Sequence, residues 1–92
     1  MSLGEILVVD DEPDICNLVK DILEDEGFDV TVANDAAEAR AVINNSNPVL
    51  VLLDIWMPDT DGITLLKEWN QTEGFNSPVI IMSGHGTVET AV

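Results

Sequence analysis

Three apolar runs in this sequence end in groups that could hold a cation or meet a phosphate. Ile6-Leu7-Val8-Val9 runs into Asp10-Asp11-Glu12, Val49-Leu50-Val51-Leu52-Leu53 into Asp54, and Val79-Ile80-Ile81-Met82 into Ser83-Gly84. Continuous apolar runs of this length read as strands of a parallel sheet, buried on both faces. Ligands of open parallel sheets bind beyond the carboxyl ends of the strands. If the first and third strands are neighbours, Asp10, Asp11 and Asp54 converge on one small site. Three carboxylates so close do not all stay ionised unaided: either one pKa is strongly raised or a metal is bound. An all-oxygen set, with no Cys or His beside it, favours Mg²⁺, Mn²⁺ or Ca²⁺ over zinc. A metal with few protein ligands keeps open positions, which suits phosphoryl transfer. A single Asp at a strand end is more often a cap or a solvated acid. The reading rests on the ordered set, each member behind an apolar strand.

The elements between these ends must bring them to one rim. Residues 5–10 form the first strand. Residues 12–26 carry Ile15, Leu18, Val19, Ile22 and Leu23 at i, i+3, i+4, i+7 and i+8, which predicts a helix packing that stripe into the core. Asp11 can cap its start, Pro13 suits its first turn, and Gly27 is a left-handed stop. Residues 28–33 alternate Phe28, Val30 and Val32 with Asp29 and Thr31, a strand with one better-buried face at a sheet edge. Asp35 and Glu38 have capping-box spacing and open a short helix over Ala36, Ala39, Ala41, Val42 and Ile43. Asn44 to Pro48 end it. Residues 49–54 are the strongest central strand, and 57–62 form a loop. Residues 63–71 predict a third helix, with Ile63, Leu66 and Asn70 on one side and Leu65 and Trp69 beside it. Residues 79–83 are a fourth strand, and 87–92 read as the first turns of another helix. The order βαβαβαβ implies an α/β fold, a doubly wound parallel sheet covered on both faces.

Composition narrows the function. Eighteen acidic residues face three basic ones, Lys20, Arg40 and Lys67, for a net charge of -15. Such a surface repels nucleic-acid backbones and anionic membranes. No apolar run approaches the roughly 18 residues of a membrane span, and Met1-Ser2-Leu3-Gly4 is not a signal peptide. Residues 1–4 read as a tag or a disordered start. One cysteine, Cys16, excludes an internal disulfide and fits a reducing compartment. Divalent cations and basic partner surfaces are the natural ligands of this domain.

Val9-Asp10-Asp11-Glu12, then Leu53-Asp54 with Met57-Pro58 and Asp61-Gly62, then Met82-Ser83-Gly84-His85-Gly86 together resemble the receiver domain of two-component response regulators. The resemblance covers residues 5–92. The Ser-Gly-His-Gly-Thr stretch is similar to receivers of the nitrogen-regulation type. The resemblance implies a flavodoxin-like sheet with strand order 2-1-3-4. It implies that Asp54 accepts a phosphoryl group from a sensor histidine kinase. Asp11 and Asp54 would bind Mg²⁺ (or Mn²⁺) directly, Asp10 through water, and the backbone carbonyl of Trp56 would supply a further oxygen. Ser83 matches the switch hydroxyl. The implied protein is a cytoplasmic signalling module that switches an attached output domain, which would control transcription. It is not an enzyme beyond phosphorylation and dephosphorylation of its own Asp54.

The sequence departs from the family at its end. The fifth strand, its terminal lysine and the last helix are missing, and Lys20 and Lys67 lie inside predicted helices. The domain is therefore expected to be C-terminally incomplete, with the apolar fourth strand as an exposed edge through which two chains could associate. A phosphatase of the haloacid-dehalogenase type needs an acid two residues after a first-strand nucleophile. Asp10 is followed at once by Asp11 and Glu12, so that spacing fails. A purely structural module is the remaining alternative. Cys16 and Trp69 read as packing residues, and His85 as loop structure.

Overall fold

The computed structural model describes residues 2–54 and 62–82 and the backbone of 88–90. Strands β1 (Glu5–Val9), β2 (Asp29–Ala33), β3 (Leu50–Asp54) and β4 (Val79–Met82) alternate with helices α1 (Pro13–Asp25), α2 (Ala36–Asn45) and α3 (Gly62–Asn70). The four strands are parallel and lie in the order β2-β1-β3-β4. Val9 stands beside Ala33 on one side and Leu53 on the other. That register aligns the carboxyl ends of β1 and β3, as the site requires.

Alternation along the strands divides the core between the two faces of the sheet. Leu7, Val9, Val51, Leu53 and Val79 pack with Ala36 and Ala39 of α2 and with Leu65 and Trp69 of α3. Ile6 and Val8 pack with Cys16 of α1, joined by the partly buried Val19, Leu23, Val30, Val32, Leu50 and Leu52. Burying a side chain of this size stabilises the fold by about 1.5–3 kcal/mol. Trp69 also stacks on Phe75, with ring centroids 5.6 Å apart.

The helix termini use the expected devices, with two differences. Gly27 takes a φ of 100° after α1. Its N–H donates to the Glu24 carbonyl while that of Phe28 donates to the Leu23 carbonyl, a left-handed stop that satisfies the last carbonyls. At α2, Asp35 Oδ1 accepts from the Glu38 N–H at 2.8 Å. Glu38 Oε1 reaches back one residue further than in the usual box, accepting from the Asn34 N–H at 2.7 Å. Asp11 does not cap α1. The capping position falls on Glu12, whose side chain makes no capping bond. Pro13 follows it, as the sequence suggests.

The apolar stripe of α1 is also placed differently from expectation. Cys16, Val19 and Leu23 face the sheet, whereas Ile15, Leu18 and Ile22 are exposed, Leu18 by 61%. Two stripes four residues wide overlap on this helix, and periodicity alone does not choose between them. In α3 the buried face is Gly62, Leu65 and Trp69, with Ile63 and Leu66 only half-buried and Asn70 exposed.

The end of the chain requires a correction. Residues 88–90, expected in a helix, form a short strand, β5 (Val88–Thr90), paired antiparallel with β4. Ile80 lies opposite Thr90 and Met82 opposite Val88. β4 is therefore not the edge of the sheet, and the open edge expected to draw two chains together is covered. β5 carries no lysine, so it is not the lysine-ended fifth strand that the resemblance implies.

Candidate metal centre

β1 delivers Asp10 to the carboxyl rim as the first residue beyond the strand. Its N–H donates to the Ala33 carbonyl at 3.0 Å, extending the β1–β2 pairing by one bond. Asp54 is the last residue of β3 and lies beside Met82 of β4. Both acids are buried, Asp10 at 4% exposure and Asp54 at 8%. Asp11 is half-exposed at the mouth. One carboxylate oxygen from each of Asp10, Asp11 and Asp54 lies within 4.8 Å of the others. The three acids named from sequence are thus brought together. Trp56 and Ser83, the other two site residues, lie outside the described residues, as do Met57-Pro58, Asp61 and His85.

The electrostatics of this group are those of a cation site. Burial pushes the Asp10 carboxyl up to about 6. The Glu12 N–H, donating to Asp10 Oδ1 at 2.9 Å, offsets part of that rise. The negative charge of Asp54, a carboxyl–carboxylate hydrogen bond with it, and the charge of Asp11 add to it. A divalent cation removes the repulsion that raises it. The donors are hard oxygens only, which fits Mg²⁺ or Mn²⁺. Lys20 lies in α1 and Lys67 in the last turn of α3.

Cys16 adjoins the site from below. Its Sγ–H donates to the Asp10 carbonyl at 3.3 Å. Burial, and then the charges of Asp10 and Asp11, push the thiol up to about 11, so it stays protonated and inert. Packing is its role, as expected, but it also touches the backbone of a site residue. Asn34 was not visible as a site residue. Its Nδ2 donates to the same Asp10 carbonyl at 3.0 Å. The available signal was its position: a polar residue directly after β2, on the rim that already carries the acids.

Residues 6–92 match the family model described as "Response regulator receiver domain". The nitrogen assimilation regulatory protein NtrX of Azorhizobium caulinodans is 49% identical over 90 residues, which cover 96% of this chain and 20% of that protein. The crystal structure of NtrX from Brucella abortus in complex with ADP aligns with a TM-score of 0.80 at 48% identity, over 94% of this chain and 20% of the other. That of the response regulator TrrA from Thermotoga maritima, in complex with Mg²⁺-BeF, aligns with a TM-score of 0.80 at 34% identity, over 92% of this chain and 73% of the other. The chain thus spans about a fifth of the length of the curated relative NtrX. With that match, the sheet order and the acid trio agreeing, the chain belongs to the response regulator receiver domain family.

Proposed function

We propose that this chain is the cytoplasmic phosphoacceptor of a longer regulator, taking a phosphoryl group from a sensor histidine kinase onto Asp54. The observation that carries this reading is the convergence of Asp10, Asp11 and Asp54 at adjacent strand ends, with Asp54 buried as the last residue of β3. A carboxylate is a weak nucleophile, but phosphohistidine is a good donor and the transition state is loose. Positioning and charge neutralisation then supply most of the rate. An Asp54 oxygen forms the new O–P bond as the N–P bond breaks, and the departing imidazole keeps the electron pair and takes up a proton. Mg²⁺ or Mn²⁺, when bound, supplies the positive charge that offsets the phosphoryl oxygens. Asp11 and Asp54 would hold it directly, Asp10 through water, and the Trp56 carbonyl would add an oxygen. The Ser83 hydroxyl donates to a phosphoryl oxygen. The modified Asp54 then biases an attached output domain that controls transcription, and the acyl phosphate is later hydrolysed in place.

TrrA of Thermotoga maritima, 34% identical, was solved in complex with Mg²⁺-BeF, which supports the cation assignment. The test is incubation with acetyl phosphate and Mg²⁺, followed by mass mapping. A single phosphoryl addition at Asp54 is expected. Addition that persists in Asp54→Ala would overturn the assignment.

A further inference from the structure

We infer that Asn34 is a positioning residue for the cation site, acting through the backbone of Asp10; this rests on the metal-site reading above. Asp10 is fastened on three sides. Its N–H donates to the Ala33 carbonyl at 3.0 Å, and its Oδ1 accepts from Glu12 N–H at 2.9 Å. Its carbonyl accepts from Asn34 Nδ2 at 3.0 Å and from Cys16 Sγ at 3.3 Å, so both lone pairs of that oxygen are engaged. The residue making the side-chain contact is itself braced. The Asn34 N–H donates to Glu38 Oε1 at 2.7 Å, and Glu38 is fixed by its own N–H to Asp35 Oδ1. A chain of bonds therefore runs from the first turn of α2 through Asn34 to the Asp10–Asp11 turn.

The geometry gives this chain a purpose beyond joining two loops. Asp10 and Asp11 must face Asp54 from a turn with no strand partner beyond Ala33. Freedom about the Asp10 peptide would swing both carboxylates away from Asp54. Partners that orient metal ligands typically matter by 10- to 100-fold in metal affinity. Asn34 holds a ligand residue's backbone and not a ligand oxygen, so the lower end applies, about tenfold.

Asn34 is exposed, and its Nδ2 also lies 3.7 Å from Sγ of the buried Cys16, so stability is measured alongside metal binding. Mg²⁺ binding to the 92-residue chain is measured by calorimetry for the unchanged protein, Asn34→Leu, Asn34→Ser and Asp54→Asn. Urea midpoints without metal report the fold. Asn34→Leu keeps the shape and removes the donor; Asn34→Ser is too short to reach. Both are expected to weaken Mg²⁺ about tenfold with nearly unchanged urea midpoints. The Glu12 amide proton, which reports the Asp10 carboxylate, should shift in both variants before metal is added. Equal Mg²⁺ affinity in the unchanged protein and both variants would overturn the proposal. So would a loss of affinity that merely tracks a loss of stability. Absence of Mg²⁺ binding to the unchanged protein, or undiminished binding by Asp54→Asn, would instead overturn the metal-site reading and the proposal with it.

Discussion

Asp10 is the residue whose chemistry the fold changes most. Its carboxyl, ordinarily near 3.8, is pushed up to about 6 by burial and by its acidic neighbours. Between those values the metal-free folded chain keeps a proton that the unfolded chain releases. The stabilisation is therefore complete below about pH 4 and is lost as pH rises through about 6. The shift corresponds to at most roughly 3 kcal/mol. We predict that the urea midpoint of the metal-free protein falls across this range, and that Asp10→Asn flattens the fall and is the more stable of the two near neutrality. Parallel pH profiles for the two proteins would assign the slope to other acids. The acid trio was legible because the ordered set, Asp10-Asp11 behind one apolar run and Asp54 behind another, can be read along the chain alone. Asn34 was not, because its contribution is a hydrogen bond to a carbonyl 24 residues away, which no local spacing encodes.

Among the elements, α1 illustrates how far pattern reaches. Its existence, its Pro13 start and its Gly27 stop were legible, since each is a local conformational preference. Its orientation was not, because Ile15, Leu18 and Ile22 are as apolar as the residues that face the sheet, and Cys16 carried no greater signal. The outward stripe predicts an asymmetry in mutational cost. Leu18→Gln should change stability by no more than about 0.5 kcal/mol. Leu65→Ala, at a fully buried position against the opposite face, should cost about 2–5 kcal/mol. Denaturant titration of the two variants decides it; a large loss from Leu18→Gln would mean that this stripe is packed. The three helices and four parallel strands were read correctly because the runs of β1, β3 and β4 are unambiguous. β5 was missed because three residues show no periodicity, and its pairing depends on the register of β4.

At the scale of the whole molecule, a net charge of -15 works against compaction, and the described residues hold one ion pair, Arg40–Glu68 at 2.8 Å, between α2 and α3. Both of its side chains are substantially exposed, so it adds little. Charge and the cover that β5 gives β4 both work against association through that edge. Deleting residues 88–92 should uncover the β4 backbone and increase self-association relative to the unchanged chain, more strongly as salt screens the acids. Sedimentation of both chain lengths at two salt concentrations tests this; a deletion variant that stays monomeric in high salt would show that β4 needs no cover. The sheet order carries a last consequence, for the sequence of events in synthesis. β1 is made first but sits between β2 and β3. Parallel pairing needs a crossover for each neighbour, so β1 has one partner once residues 29–33 have been made and its second only after residues 50–54. Until then one side of its backbone and much of Ile6 to Val9 lack cover. A ribosome making this segment therefore holds an unfinished, adhesive strand while residues 10–54 are added, and the acid trio comes into being in the same step that ends that exposure.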